Sequence, residues 1–317
     1  MTKITPSLLL ASLLALCLHV ASAQAQYVRT CVSMARGDDA NTCHCTTPCR
    51  TFARAHSQTL SDGEITVLDP GDYGGLTITK SISINNDSGG EASITVTVGT
   101  FFGIIVNAPA DGYVNLRGLT IQGVGFGGSL GLLFRTGFSL TMTNCVVRNH
   151  TGDGIQFIPN ASSNLSVSNT LVADNGGSGI NLTPTGSGTV KAVFNRIEAY
   201  NNSIHGILVI GAHSTGTINA TAADSVAANN SARGFSVGSA AGQAATSLMV
   251  VRSVAANNNA GVFASNSLAT VRIGQSTVTG NATGLSTSSG ASVLSYGDNN
   301  IDGNGDGDPA PTTIPKK

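Results

Sequence analysis

Three residues of this chain have the types and spacing to act together on a bound molecule: Asp153, His205 and Arg233. Each stands immediately before a glycine–apolar pair, at Gly154-Ile155, Gly206-Ile207 and Gly234-Phe235. An imidazole at His205 suits a general base, a guanidinium at Arg233 suits the neutralisation of a carboxylate, and Asp153 suits positioning. Arg148 and His150 lie in the turn before Asp153 and complete a candidate ligand-binding group. The competing reading is a scatter of polar residues at solvent-facing turns.

A second candidate is DNNIDGNGDGD, 298–308. Asp298, Asn300, Asp302 and Gly303 match the first half of a calcium loop, D-x-N-x-D-G. Calcium is the one cofactor this suggests. Against it, the twelfth position, where a bidentate Glu belongs, is Pro309, and no helices flank the segment. A third is the cysteine cluster Cys31, Cys43, Cys45 and Cys49. Four cysteines allow three pairings. Cys43–Cys45 is strained by its single intervening residue, so Cys43–Cys49 with Cys31–Cys45 is preferred; a metal knuckle that includes His44 is the rival. Cys145 stands alone and reads as a small buried hydrophobe.

What must position these residues is a repeat. LTMTNCVVRNHTGDGIQF is answered 25 residues later by LSVSNTLVADNGGSGINL. The glycine–apolar pair recurs at Gly75, Gly103, Gly131, Gly154, Gly179, Gly206, Gly234, Gly261 and Gly284, at intervals of 23–28 residues. Such a period marks one supersecondary unit stacked on copies of itself. Within each unit a short apolar step leads to a polar turn: Val146 to Asn149, Leu171 to Asp174, Val226 to Asn229, Val254 to Asn257, Val278 to Asn281, Ile301 to Asn304. A second polar column precedes that step at Asn144, Asn169, Asn195, Asp224, Arg252 and Gln275. Asn and Gly tolerate the left-handed turn conformation, and stacked amides can bond along the column, so both are expected without any ligand.

Composition bounds the rest. Charged residues make up 10% of the chain, against roughly 25% in ordinary soluble domains. The net charge of −1 leaves no electrostatic case for nucleic acid. Lys3, the apolar stretch Leu8–Val20 and the small residues Ala21–Ala25 read as a signal peptide over 1–25. That stretch is short of the ~20 residues a membrane span needs. Thr47-Pro48 looks like a helix start, with a helix over 49–60 that places Phe52, Ala55, His56 and Leu60 on one face and Gly63 at its stop. A solenoid needs a plug over its first coil, and this helix is expected to supply it. The domain reading is signal peptide 1–25, disulfide-containing cap 26–63, solenoid 64–304 and polar tail 305–317.

Three short strands per coil, with no helical stretch, resemble the right-handed parallel β-helix of the pectin-lyase-like superfamily, and the resemblance covers 64–304. Small exported bacterial members have a similar capping region. The expected fold is therefore all-β, a single-stranded right-handed parallel β-helix of about nine coils with a short N-terminal helix. The signal peptide implies an exported protein, periplasmic or extracellular, and the resemblance implies a polysaccharide partner, such as a cell-envelope glycan. It also implies what a catalytic member would carry, namely several calcium-binding carboxylates on one face or paired Asp residues in a cleft. The middle of this solenoid has no Asp-Asp pair and the chain has no Trp for sugar stacking. The reading is a non-catalytic polysaccharide-binding or surface or structural protein; the alternative is a polysaccharide lyase or glycosidase acting on an acidic glycan through Asp153, His205 and Arg233.

Overall fold

Alternation makes each run a strand. In Leu140-Thr141-Met142 and Leu165-Ser166-Val167 the apolar members are buried and the hydroxyl-bearing residues between them are not. Strands this short cannot bury their apolar face alone, so each coil rests on the next. The structure is a computed structural model that describes residues 26–316 apart from 88, 98, 100 and 125–127. The expected signal peptide, 1–25, lies outside the described residues.

Each coil has three flanks, as in Ser139–Thr143, Val146–Arg148 and Ile155–Phe157. First and second flanks belong to a 20-stranded sheet that turns the corner between them, and third flanks form a separate nine-stranded sheet. Successive coils pair in parallel, for example Leu140 with Leu165 and Ile155 with Ile180. The nine glycine–apolar pairs are the third flank. Leu76, Ile104, Leu132, Ile155, Ile180, Ile207, Phe235, Val262 and Leu285 pair one on the next in unbroken register. Phe134 and Phe157 stack inside the coil at 4.3 Å.

The glycines of these pairs do a different job from the one expected. None has a positive φ. A Cβ at Gly206 would lie 2.7 Å from the carbonyl oxygen of Gly234 and 3.0 Å from Nδ2 of Asn230. The glycine makes room for the coil above it and for a buried amide. The left-handed bends are carried instead by two outer columns. One runs Asn149, Asp174, Asn201, Asn229, Asn257, Gly280, Gly303. The other runs Asn144, Asn169, Arg196, Asp224, Arg252, Gln275. Asn195, expected in that second column, is one residue out of register, because Ser168 pairs with it and Asn169 therefore faces Arg196.

Asn281 and Asn304 are also out of the column expected for them. They belong to an interior ladder: Asn175, Asn202, Asn230, Asn258, Asn281, Asn304, each at most 7% exposed. From Asn202 onward each Oδ1 accepts both the backbone N–H and the Nδ2 of the preceding rung, as Asn230 Oδ1 does from Asn202 at 3.1 and 3.0 Å. Each Nδ2 from Asn202 onward also donates to a carbonyl of the coil before, as Asn202 does to Val172 at 3.1 Å. A bend that points its backbone inward would strand those groups, and the ladder satisfies them. A hydroxyl column beside it does the same at the first corner, Ser225 to Ser253 to Ser276. Cys145 sits in that column, 1% exposed, and burial pushes its thiol up to about 11, so it is a packing residue.

The N-terminal end is closed by α1, Phe52–Gln58. It starts later than the sequence pattern predicts. The disulfides Cys31–Cys45 and Cys43–Cys49 hold residues 43–49 in a tight loop, with the Thr47 N–H donating to His44 O at 2.8 Å. Thr51 is the N-cap, its hydroxyl accepting the Arg54 N–H, while Asp39 accepts the backbone N–H groups of Arg50 and Thr51. Phe52, Ala55 and His56 face the core as expected, and Phe52 packs on Tyr73 at 5.1 Å. Leu60 and Gly63 fall in the strand Thr59–Val67 instead, and Leu60 is on the surface. That strand pairs with Tyr27–Val32, so the 26–63 segment contributes a rung as well as a plug. At the other end Thr312–Thr313 pairs with Leu294 and Ser295, so the 305–317 segment is in part a last rung.

Candidate functional site

Register decides which of the candidate residues meet. His205 and Arg233 are paired neighbours on adjacent third-flank strands. Asp153 stands in the same column two coils away, since Ile155, Ile180 and Ile207 pair in turn. The column itself is therefore as expected. Its members are occupied in ways the sequence did not reveal. The Asp153 carboxylate accepts the Ser178 N–H at 2.7 Å and the Asn181 amide at 2.8 Å. It braces one coil against the next.

His205 is 7% exposed, and burial first, then the positive charge of Arg233, lowers its pKa to about 4. The ring is neutral near pH 7. Its Nδ1 has no hydrogen-bond partner among the described residues. Arg233 lies over the ring of Phe263, on the next coil, at 3.7 Å. This cation–π contact and partial burial fix the guanidinium on the outer surface of the third flank. The pair thus offers a buried neutral imidazole beside a held cation.

Arg148 and His150 do not join that surface. Arg148 ends a second-flank strand, and its Nη2 donates to Gln122 at 3.2 Å. His150 points inward, with none of its surface exposed. It heads the amide ladder: its N–H donates to Asn175 Oδ1 at 3.2 Å, and Nε2 approaches Ile121 O at 3.3 Å. Burial lowers its pKa to about 4. A side chain enclosed in this way cannot meet a surface ligand, which corrects its assignment to the binding group.

The calcium-like segment is an ordinary coil. Asp298 accepts the Gln275 N–H and pairs with Lys316 Nζ at 2.7 Å. Asn300 lies in a two-residue strand on Thr277, and the Asp302 N–H bonds to Val278. Among the described residues no group of three or more His, Cys, Asp or Glu side chains is arranged to hold a metal.

The outer face of the first flank carries the polar members of the alternating strands. Ser139, Asn164, Lys191, Asn219, Ser247 and Thr270 form one column across six coils. Asn115, Thr141, Ser166, Val193 and Thr221 form the next. Rungs sit ~4.8 Å apart. The result is a long ridged plane mostly of amides and hydroxyls, interrupted by the exposed Val193, with Lys191 near its middle. Strict alternation in these strands was the signal, and only the pairing shows that the polar members align.

Comparison with known proteins agrees with this architecture. No curated protein matches the sequence. Among solved structures, the pectate lyase Pel9A superposes with a TM-score of 0.60 at 17% identity, covering 92% of this chain and 78% of that one. The A-module of the Azotobacter vinelandii mannuronan C-5 epimerase AlgE4 follows at a TM-score of 0.47 and 14% identity, covering 80% and 91%. The family described as "Right handed beta helix region" matches residues 102–305. With that match over most of the chain and the parallel pairing of its coils, the chain belongs to the right-handed β-helix family.

Proposed function

We propose that the protein is exported to the periplasm or beyond and binds an extended polysaccharide without transforming it. The observation that carries this reading is the aligned polar plane of the first flank. Donors and acceptors repeated at one strand spacing suit a ligand that is itself a repeating polymer of hydroxyls. Two disulfides near the N-terminus fit an oxidising compartment. The fold is one that a pectate lyase also uses, but fold alone does not fix function. The bracing role of Asp153 favours binding over chemistry, because its oxygens are already spent on the next coil.

A second reading is kept for one observation. A neutral His205 with an unpartnered Nδ1, next to Arg233, has the parts of a base beside an anion-binding group. On that reading the protein is a lyase or glycosidase for an acidic glycan.

Purified mature chain, screened against uronate and neutral glycans, separates the two. Retention with no release of reducing ends or unsaturated products is the expected result. Product release abolished by His205→Ala would overturn the binding reading. Neither retention nor release, across both classes of glycan, would sink both.

A further inference from the structure

The C-terminal end of the first flank carries a groove of about 640 Å³, separate from the third-flank column. Its floor spans three rungs, Met249, Arg272 and Leu294, which is ~10 Å along the solenoid. Tyr296 lies against bare backbone at Gly274, where a Cβ would come within 3.1 Å of the ring. The returning segment with Pro315 forms the far wall, tied down by the Lys316–Asp298 ion pair.

Arg272 is the exceptional residue here. Other solenoid arginines are engaged: Arg117 with Asp87, Arg148 with Gln122, Arg196 with Asn169, Arg233 with Phe263, Arg252 with Asp224. The Arg272 guanidinium has no hydrogen bond or ion pair with any described residue. Lys316 already neutralises the groove's carboxylate, Asp298. The groove therefore keeps one uncompensated positive charge, on a planar fork that pairs best with a planar anion.

We propose that this groove is a binding site for a small aromatic carboxylate. Arg272 takes the carboxylate through two parallel N–H bonds. The ring lies between the thioether of Met249 and the Tyr296 and Pro315 rings, contacts that favour an aromatic body. A sugar unit fits less well, since Met249, Val251 and Leu294 offer no partners for ring hydroxyls that would lose water. A long acyl chain overruns a floor of three rungs. This site does not rest on the glycan reading, and either can fail alone.

The test is calorimetric titration of the full chain with 4-hydroxybenzoate, and with galacturonate and decanoate as controls. Saturable binding is expected, with a Kd of about 1 mM or below, and at least about tenfold weaker for both controls. Arg272→Gln is expected to weaken it at least about tenfold without moving the melting temperature, since the side chain braces nothing. If that variant melts early, Arg272→Lys decides: it keeps the charge and loses the fork, and a drop of about threefold or more supports the pairing. The site is overturned by the absence of saturation, by unchanged affinity in Arg272→Gln or in the deciding Arg272→Lys, or by either control binding as well as 4-hydroxybenzoate.

Discussion

The amide ladder inside the second bend and the charged column outside the first bend follow one stacking rule and differ in what surrounds them. Inside, Asn202, Asn230 and Asn258 are buried and each amide bonds to both neighbouring rungs. Outside, Arg196, Asp224 and Arg252 stack in register, yet the Arg252–Asp224 pair is 54% and 41% exposed. Water competes for every bond of the outer column and for none of the inner one. Position in the repeat alone therefore does not tell how much a residue matters; the side of the wall does. The inner ladder also has defined ends. His150 starts it with an imidazole, and Asp308 closes it, its Oδ1 accepting the Asn304 N–H at 3.0 Å and Nδ2 at 2.7 Å as a further Asn would.

Breaking the inner ladder at its centre should give the largest effect. Asn230→Ala removes the acceptor of the Asn202 N–H and Nδ2 and the donor to Ala199 O, all in the interior. A buried group left unpaired costs about 1–3 kcal/mol. With more than one such group, a loss of about 3 kcal/mol is expected, read as a lower urea midpoint at unchanged m. A midpoint equal to that of the parent protein would mean that the ladder is not structural. Gly206→Ala should follow closely. Its new methyl meets the Gly234 carbonyl and the Asn230 amide, and overpacking of this kind costs about 1–3 kcal/mol. A neutral Gly206→Ala would return that glycine to the turn role its type suggests.

The head of the ladder gives a pH-dependent version of the same comparison. The pKa of His150 is lowered from 6.5 to about 4 in the folded chain. In the unfolded chain the ring takes up its proton as pH falls through 6.5, so the unfolded state binds more protons over that window. The stability His150 supports is present above pH 6.5 and is lost as pH falls toward 4. His56 and His205, lowered in the same sense by burial, add to the slope. His150→Asn should keep the ladder, leave stability at pH 7.5 nearly unchanged and flatten the acid side of the profile. A slope as steep as in the parent would place the sensitivity in the other two histidines.

The architecture was legible because the glycine–apolar pair has no degenerate spelling: it marks the third flank in every coil, and its spacing survives loops of different length. The ladder was misread where Gly280 takes the left-handed position that Asn257 holds one coil earlier. An Asn one residue later then looks like a turn residue although it is interior. The slip from Arg196 to Asn195 has the same origin, since arginine is a poor guess for a φ of 53°. The candidate site was legible as a column and not as a site. What Asp153 bonds to, and what Arg272 does not, depends on neighbours a full coil away, which periodicity aligns only to within a residue.

The outer column should give the smallest effect, and in a direction that separates it from the inner one. Arg252 holds its place with φ +47°, a conformation that non-glycine residues adopt at some cost, while asparagine adopts it readily. Arg252→Asn loses the two bonds to Asp224, at 2.8 and 3.0 Å, and relaxes the bend. Both groups are solvated, so the ion pair contributes little and less at high salt. The melting temperature is expected to stay within error of the parent at low salt and to match or exceed it at high salt, where the ion pair is screened and the easier bend remains. A clear loss at both ionic strengths would show that the outer column carries stability of its own, and the contrast between the two sides of the wall would fall with it.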